Sequence, residues 1–390
     1  MTPPAEFSTL AAFRFAAGRY LRICGESLTR PTGQGTPTPK GKLLRLGLFL
    51  GFLPIWLFHW CCFFLDEFFF PGYRNVRIQN PLFVLGVPRS GTTFLHRTLA
   101  ADTERMTTLA TWEVFFAPTV IQRKFWMALA LMDRRIGRPG GRLLEFAERK
   151  LFQGMDGVHE MALSDPEEDY LLLLPIFAAF ILVLPFSQSE TIWRLSRLDT
   201  EMPEAEKRQI LAFYKACLQK HLYVHGTDRR FLSKNASFAS WVDALAETFP
   251  DAGFVFCFRD PEKAVPSLLG SLEMGGKIFE LDLAEGEFPE KMTRMMRHYY
   301  AHLLSRNGNA VSVHMDDLKD DLEGTVARIY EHWELPMSPE YRARLARIAA
   351  DARAYRSKAR HITPRPLRSS DSLRDQFPDY YQWKESRATR

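Results

Sequence analysis

Residues 82–99 read Leu82-Phe-Val-Leu-Gly-Val-Pro-Arg-Ser-Gly-Thr-Thr-Phe-Leu-His-Arg-Thr-Leu99, and this stretch decides the fold. It begins with strand-like apolar residues, turns through a loop bounded by Gly86 and Gly91, and ends in an apolar run with helical period. A strand, a glycine-flanked loop and a helix N-terminus direct several backbone N–H groups at one anion. The stretch therefore predicts a phosphate-binding loop.

The charge of this loop differs from that of an ordinary nucleotide-binding loop. The spacing Gly86-x4-Gly91 is that of a P-loop, in which a lysine follows the second glycine. Here Thr92 takes the place of the lysine, and Arg89 supplies the positive charge inside the loop. A plain strand-to-helix turn is the alternative, but Arg89, Ser90 and the Thr92–Thr93 pair offer more anion donors than such a turn needs. We predict a cradle modified for chemistry other than that of ATP.

The composition is that of a folded globular protein with a mild positive charge. The 390 residues are 46% hydrophobic and 25% charged, with a formal net charge of +5. This charge is compatible with anionic ligands or an anionic membrane surface, but it is too small and dispersed to indicate a nucleic-acid partner. The five cysteines show neither metal-ligand nor disulfide spacing, which favours a reducing compartment, and we expect no cleavable signal peptide.

Three regions are predicted along the chain. Residues 1–45 contain a helix over Ala5–Leu28 followed by a linker rich in Thr, Pro and Gly over Thr29–Pro39. Residues 46–70 form a hydrophobic segment, which we expect to associate with a membrane or to cross it. Residues 71–390 form the catalytic domain.

The apolar run Leu46–Leu65 is 20 residues long, about the length that crosses a bilayer as a helix. Pro54 interrupts the run, and Asp66 ends it. Three interpretations fit: a membrane span, an interfacial helical hairpin, and a helix packed against the protein or a partner. We expect membrane association with the catalytic domain in the cytoplasm; if the run spans, the basic residues before it would make the chain a type II membrane protein.

Strand candidates alternate with helices after residue 80. They are Phe83–Leu85, Phe231–Lys234, Gly253–Phe258 and Val311–Met315. The alternation predicts an α/β fold in three layers: a P-loop-like parallel sheet flanked by helices, with the hydrophobic helical segment at its N-terminal side.

Two neighbouring segments precede the second strand candidate. Ser164–Glu168 has the pattern of a helix start, with a cap residue, a proline and acids, so we assign Glu167, Glu168 and Asp169 to capping. The apolar segment Tyr170–Phe186 is 17 residues long and contains Pro175. We expect it to be a buried helix or the lining of an acceptor pocket.

A second candidate anion site follows the strand Gly253–Phe258. Arg259 ends this strand, and Ser267 lies eight residues later on the next predicted helix. At the carboxyl end of a parallel strand, both side chains can face the crevice that the first loop faces. Two anion sites on one sheet suit a nucleotide with phosphates at both ends. The alternative for Arg259-Asp260 is a salt bridge at the helix start.

The two motifs together resemble those of a known enzyme family. Pro88-Arg-Ser-Gly-Thr-Thr93 with Phe258-Arg-Asp-Pro261 and Ser267 resembles the sulfotransferases that use 3′-phosphoadenosine 5′-phosphosulfate (PAPS), most closely the bacterial-type and tyrosylprotein-type branch. The resemblance covers roughly residues 70–335. It implies that Arg89, Ser90, Gly91, Thr92 and Thr93 bind the 5′-phosphosulfate, and that Arg259 and Ser267 bind the 3′-phosphate.

The resemblance also implies a catalytic lysine. Lys234 in Ser233-Lys-Asn-Ala236 matches the lysine of the family, although Ala236 stands where the family usually has proline. Sulfuryl transfer depends, like phosphoryl transfer, on positioning, in-line attack and neutralisation of the developing charge. Lys234 and Arg89 can stabilise the bridging oxygen without a metal ion, and no metal is predicted.

A general base must accept the proton of the acceptor hydroxyl. Glu113 lies 24 residues after Arg89, which approximately matches the spacing of a glutamate in the tyrosylprotein branch. An exposed acid at a helix start is the alternative for Glu113. His159 and Glu160 are the other candidates for the base.

Two other functions compete with sulfuryl transfer. A P-loop kinase or NTPase acting on a small molecule or lipid is disfavoured by the missing lysine and by the lack of a clear magnesium-binding aspartate. A membrane-anchored binding protein without activity is disfavoured by the complete set of charged site residues. The acceptor class stays open among a lipidic alcohol, a glycan and a phenol.

Overall fold

The computed structural model describes residues 7–29, 39–152, 162–279, 283, 286–306, 308–354 and 372–388. A five-stranded sheet forms the centre, with the strand order β2-β3-β1-β4-β5 and parallel pairing throughout. Its strands are β1 (Leu82–Gly86), β2 (Met106–Thr107), β3 (Arg230–Asn235), β4 (Gly253–Phe258) and β5 (Ala310–His314). The four predicted strands are confirmed, and β2 is an addition that its two residues were too short to indicate.

Helices surround the sheet. The α-helices are α1 (Thr9–Thr29), α2 (Pro39–Phe69), α3 (Thr92–Ala100), α4 (Thr111–Phe116), α5 (Val120–Arg135), α6 (Pro139–Phe152), α7 (Glu190–Trp193), α8 (Leu198–Glu201), α9 (Glu204–His225), α10 (Val242–Thr248), α11 (Pro261–Ile278), α12 (Phe288–Leu304), α13 (Met315–Asp320), α14 (Leu322–His332), α15 (Pro339–Ala354), α16 (Leu373–Gln376) and α17 (Pro378–Ala388). Short 3-10 helices cover Pro71–Asn75, Asp169–Ile176, Phe180–Val183, Arg194–Arg197 and Ala236–Ser240.

Strand β1 lies in the middle of the sheet and is buried on both faces. Phe83 and Leu85 join a core formed with α1, α2, α9 and α12, whereas Leu82 and Val84 join a second core formed with α3, α14 and α15. Successive side chains of a strand point to opposite faces, so a continuous apolar run serves both cores. The predicted three-layer α/β architecture is confirmed.

The strand order determines where ligands can bind. Leu85 of β1 is paired with Asn235 of β3 on one side and with Phe256 of β4 on the other. The carboxyl ends of three parallel strands therefore meet at one edge of the sheet. The loops that follow β1, β3 and β4 carry the predicted anion-binding and catalytic residues to that edge.

The segment after Ser164 differs from the predicted helix. Pro166 pairs with Ala110 in an isolated bridge, and a 3-10 helix begins only at Asp169. Glu168 precedes this helix, but its side chain makes no capping hydrogen bond. The capping interpretation of Glu168 is wrong, because its carboxylate is used elsewhere. Tyr170–Phe186 is confirmed as buried for the most part, as two short 3-10 helices rather than one α-helix.

The hydrophobic segment forms part of α2, which continues through Pro54. Among the described residues it contains one stretch long and apolar enough to cross a membrane, Phe49–Phe69, with mean hydropathy 1.6 and 39% of it buried inside the protein. The indoles of Trp56 and Trp60 both donate hydrogen bonds to the carbonyl oxygen of Pro175. One face of α2 therefore belongs to the protein core.

Candidate active site

The loop between β1 and α3 is shaped by close backbone approach. A Cβ atom at Gly86 would lie 2.6 Å from the carbonyl oxygen of Cys257, the same oxygen that accepts a hydrogen bond from the N–H of Val87 at 3.1 Å. Gly91 adopts a φ of 88° directly before α3, a left-handed conformation that glycine adopts at least cost. The glycines thus hold the loop against β4 and aim the N-terminus of α3 at the space in front of it.

The loop faces a cavity of about 400 Å³. Arg89, Gly91, Thr92 and Thr93 line it from the loop side. Ser90 does not line the cavity. Its side chain is fully buried and donates a hydrogen bond to the carbonyl oxygen of Val87 at 2.6 Å, so that it stabilises the loop from within.

The second predicted anion site joins the first. Arg89 Nε donates a hydrogen bond to Ser267 Oγ on α11 at 3.0 Å, and Arg259 donates one to the carbonyl oxygen of Arg89 at 3.1 Å. Arg259 also lines the cavity. Asp260 caps α11 and pairs with Lys384 of α17. The salt bridge considered for Arg259-Asp260 is therefore replaced by contacts between Asp260 and the C-terminal helix.

The two guanidinium groups make the cavity strongly electropositive. Neither Arg89 nor Arg259 is ion-paired with a carboxylate within the part of the chain that the structure describes. Burial, together with the nearby charge of Arg89, lowers the pKa of Arg259, and its Nε is buried without a hydrogen-bond partner. Two neighbouring cations without an acidic partner are stabilised by an anion bound between them.

Lys234 is linked to the cavity by its ion pair with Glu168. Its side chain is nearly buried, and the ammonium group is paired with the carboxylate of Glu168. Glu168 lines the cavity, and a quarter of its side chain is exposed. This pair lies at the end of β3, beside the loop that follows β1, and Glu168 is the member of the pair that lines the cavity.

Two buried titratable groups, His96 and Asp169, lie near the pair of Lys234 and Glu168. His96 of α3 is fully buried, and burial together with the charge of Lys234 lowers its pKa to about 3, so the ring is neutral at physiological pH. Asp169 is buried beside Glu168 and bonded to Tyr214; burial raises the pKa of Asp169 to about 6. His96 therefore adds no second cation beside Lys234 at physiological pH.

Glu113 lies in a different environment from the cavity. Its Oε1 is 3.2 Å from Arg123 Nε and 2.8 Å from His225 Nε2, and its side chain is 3% exposed. Burial alone would raise the pKa of Glu113, but His221 and Arg123 together hold it well below the ordinary range. Burial lowers the pKa of His221 to about 4, so the cation beside Glu113 at neutral pH is Arg123.

The structure therefore does not bring Glu113 to the cavity with Arg89, Arg259 and Glu168. Its assignment as the general base stays a prediction, and its burial beside Arg123 argues against it. The alternatives His159 and Glu160 lie outside the described residues. Sequence reasoning passed over Glu168, because its position after Pro166 suggested capping. Only the packing of this segment against the end of β3 reveals its partner, Lys234.

Within the described residues, two clusters have the residue types of metal ligands. Glu113, His221 and His225 form one, and Asp199, Asp243 and His302 form the other. Each already contains an arginine, since Arg123 contacts Glu113 and Arg306 is paired with Asp243. A guanidinium in that place supplies the positive charge that a metal ion would bring. Both clusters therefore fit a structural role.

Comparison with known proteins gives the family. A model of the sulfotransferase family matches residues 81–339, which include both anion-binding motifs and Lys234. The chain belongs to the sulfotransferase family. Stf3 of Mycobacterium bovis, named omega-hydroxy-beta-dihydromenaquinone-9 sulfotransferase, is 24% identical to this sulfotransferase over 301 residues, covering 74% of this chain and 72% of Stf3.

Solved structures give the same fold. Sulfotransferase STF9 from Mycobacterium avium superposes with a TM-score of 0.67 at 19% identity, covering 96% of this chain and 95% of STF9. STF1 from Mycobacterium tuberculosis superposes with a TM-score of 0.64 at 20% identity, covering 96% of this chain and 99% of STF1. The P-loop-like α/β fold of this sulfotransferase is thereby confirmed.

Proposed function

We propose that this sulfotransferase takes its sulfuryl group from PAPS. The observation that carries the proposal is the joining of Arg89, Ser267 and Arg259 at one cavity, with two guanidinium groups that have no acidic partner in the described part of the chain. A donor with phosphates at both ends satisfies both cations. The buried, unpartnered Nε of Arg259 fits such an anion.

In this proposal the loop and the second site divide the donor between them. The N–H groups of the loop, with Arg89, Thr92 and Thr93, bind the 5′-phosphosulfate at the N-terminus of α3. Arg259 and Ser267 bind the 3′-phosphate. Lys234 then lies on the side of the cavity where the bridging oxygen gains charge, and it can stabilise that oxygen as the bond to sulfur breaks.

We propose Glu168 as the general base in place of Glu113. Its carboxylate lines the cavity, contacts the ammonium of Lys234 and retains exposure to an incoming hydroxyl. The acceptor oxygen attacks sulfur as its proton passes to Glu168, and the bond from sulfur to the bridging oxygen breaks with the charge facing Lys234. The acid and the lysine thus serve the two ends of one in-line displacement.

The acceptor we infer is a lipidic alcohol. Beyond Glu168 most of the cavity wall is apolar, with Phe180, Ile181 and Val183 among its side chains. Such a wall offers few partners for the hydroxyl groups of a glycan, whereas an alcohol with a hydrocarbon body is matched by it. The relative Stf3 is also named as a sulfotransferase of an omega-hydroxylated dihydromenaquinone.

We further infer attachment to one face of an anionic membrane, with α2 lying in the interface. Asp66 near the end of α2 is fully buried and paired with Lys220 at 2.8 Å, a contact that a helix surrounded by lipid would lose. The outer face of α2 and the helices α5 and α6 carry exposed apolar side chains such as Phe68, Leu131 and Leu143. Apart from the buried Arg123, residues 120–152 contain seven Lys or Arg against three Asp or Glu, which complements anionic headgroups.

The decisive experiment supplies labelled PAPS with separate pools of lipids, glycans and phenols, each with and without a chelator. We expect label in the lipid pool in both conditions. A strict need for magnesium together with transfer from ATP would instead favour the kinase or NTPase, and label in glycan or phenol alone would replace the lipidic acceptor.

The Lys234→Ala variant tests the role of the lysine. We expect loss of turnover while 3′-phosphoadenosine 5′-phosphate still binds, since Lys234 acts on the bridging oxygen and the two arginines hold the nucleotide. Unchanged turnover would remove Lys234 from the mechanism.

A further inference from the structure

A second cavity lies beside the reaction cavity, between α2 and the segment 174–186. Its volume is about 590 Å³, which is larger than that of the reaction cavity. Every lining side chain is apolar; Phe52 and Ile55 contribute from α2, and Phe177 and Phe186 contribute from the opposite wall. A cavity without a polar side chain matches a ligand part that makes no hydrogen bonds, that is, a hydrocarbon chain.

The wall at Phe177 is held in a costly conformation. Phe177 has a φ of 53°, in the left-handed region that bulky residues rarely adopt. Arg19, which is buried and ion-paired with Glu206, donates two hydrogen bonds to the carbonyl oxygen of Phe177 at 3.2 and 3.1 Å. Strain of this kind persists where the surroundings over-determine it, often at binding sites. The wall is therefore preformed.

One segment of chain separates the two cavities. Leu182 and Phe186 line the apolar cavity, whereas Ile181 and Leu184 line the reaction cavity. A single molecule that passes this segment would reach both. On the other side, the apolar cavity is bounded by Gly47 and Gly51 of α2, whose neighbours on the helix include the exposed Leu50 and Leu46. The boundary formed by Gly47 and Gly51 lies on the face of α2 that we assign to the membrane.

We propose that the apolar cavity binds the hydrocarbon chain of the acceptor, so that the enzyme selects long-chain alcohols drawn from the lipid phase. The proposal rests on the proposed function for the identity of the acceptor, but the cavity itself can be tested without turnover. The hydroxyl end lies toward Glu168, and the chain lies between α2 and the segment 174–186.

Glycine positions allow the cavity to be filled. A Cβ atom at Gly51 or Gly47 would meet no other atom within 4 Å, so a leucine at either position has room on its own helix and extends into the cavity space. Gly18 of α1 is an exposed helical glycine with the same free surroundings, and it does not line the cavity. Gly51→Leu is thus the test, Gly47→Leu the repeat, and Gly18→Leu the matched control.

The first measurement is binding of a fluorescent alcohol of about sixteen carbons to the full-length protein without nucleotide. We expect at least tenfold weaker binding to Gly51→Leu and to Gly47→Leu, and unchanged binding to Gly18→Leu. Binding of 3′-phosphoadenosine 5′-phosphate should be the same in all four proteins, which verifies the fold. Undiminished alcohol binding in both filled variants would overturn the proposal.

The second measurement is the KM for alcohols of about sixteen and about four carbons. We expect Gly51→Leu to raise the KM of the long alcohol alone, because the short one does not reach the second cavity. An equal rise for both would overturn the proposal. A third outcome separates the two proposals. If no alcohol is sulfated, but the long alcohol binds to the wild type and not to the filled variants, the proposed acceptor fails while the hydrocarbon site stands.

Discussion

Two glutamates of this sulfotransferase each face a cation, and their surroundings differ completely. Glu168 pairs with Lys234 at an open cavity, where a quarter of its side chain is exposed. Glu113 contacts Arg123 and two histidines, with both the acid and the guanidinium almost wholly buried. A buried carboxylate held by an arginine and hydrogen bonds is stabilised as the anion and has no route to a substrate proton. Accessibility to substrate, rather than residue type or sequence spacing, is the reason why we propose Glu168 as the base and a structural role for Glu113.

The largest expected effect is on the rate of the Glu168→Gln variant. Removing the base should lower kcat by about 10²–10⁴-fold, since this is the usual contribution of a positioned proton acceptor. Transfer of labelled sulfuryl to the lipid pool measures it. The neighbouring Glu167→Gln is the matched control and should keep kcat within a few fold. If Glu168→Gln retains full activity, the two glutamates have been assigned to the wrong roles.

The Glu113→Gln variant should be folded less stably but should retain its chemistry. Loss of one partner from a buried ion pair costs about 3 kcal/mol, because Arg123 is left uncompensated. Denaturant unfolding measures this loss, and kcat of the folded fraction should stay near the wild-type value. Glu145→Gln, which breaks an exposed pair with Arg138, is the control and should change stability by less than about 1 kcal/mol. A collapse of kcat without loss of stability would restore Glu113 as the base.

Arg259 at the cavity and Lys277 at the far end of α11 should contribute differently to the affinity for the nucleotide. Arg259→Gln should weaken 3′-phosphoadenosine 5′-phosphate by about 10–100-fold, the value of one or two hydrogen bonds to a charged group. Titration calorimetry measures the Kd. Lys277→Gln removes an equal charge from the far end of α11, where the side chain is 72% exposed, and should leave the Kd nearly unchanged. Equal weakening by both would mean that net charge alone attracts the nucleotide.

A smaller effect is expected on the pH dependence of stability, to which Asp169 and Glu113 contribute with opposite signs. The pKa of Asp169 is raised to about 6, so the folded protein keeps a proton that the unfolded chain releases near pH 4. Stability should therefore fall as pH rises from about 4 to 6, by at most about 1.4 kcal/mol per pH unit, and Asp169→Asn should remove this slope. Glu113, whose pKa is lowered, has the opposite sign: its stabilisation is present above pH 4.5 and is lost on acidification. Thermal unfolding across pH 3–7 tests both signs.

The fold was predictable because its signals are local. An apolar run such as Gly253–Phe258 can be satisfied only when it is buried on both faces, and Gly86 and Gly91 mark a turn that few other residues allow. Arg89, Arg259 and Ser267 follow directly from strand ends, so parallel pairing brings them together without further information. The match to the sulfotransferase family and its solved structures confirms the predicted fold.

The contact between the proposed base, Glu168, and Lys234 could not be predicted from local signals. The same holds for the burial of one face of the hydrophobic segment. Glu168 and Lys234 are 66 residues apart, and no local pattern states that they meet. Ser164–Glu168 satisfied the rules for a helix start, but Pro166 pairs with Ala110 instead and leaves Glu168 free to face the lysine. The apolar run of α2 fits either a lipid or a protein environment. Hydropathy reports only the composition of the run and does not tell which face of the helix packs against the protein.

The sequence by itself determined the parallel sheet, the modified phosphate loop and the two arginines, since each depends on a few adjacent residues whose backbone preferences or strand-end position leave little choice. Only the tertiary structure decided that Glu168 lies at the opening while Glu113 is enclosed, and that one face of α2 contacts Pro175 through Trp56 and Trp60. Burial and pairing arise between distant segments, so the ionisation and the accessibility of a side chain follow from packing rather than from its neighbours in the chain.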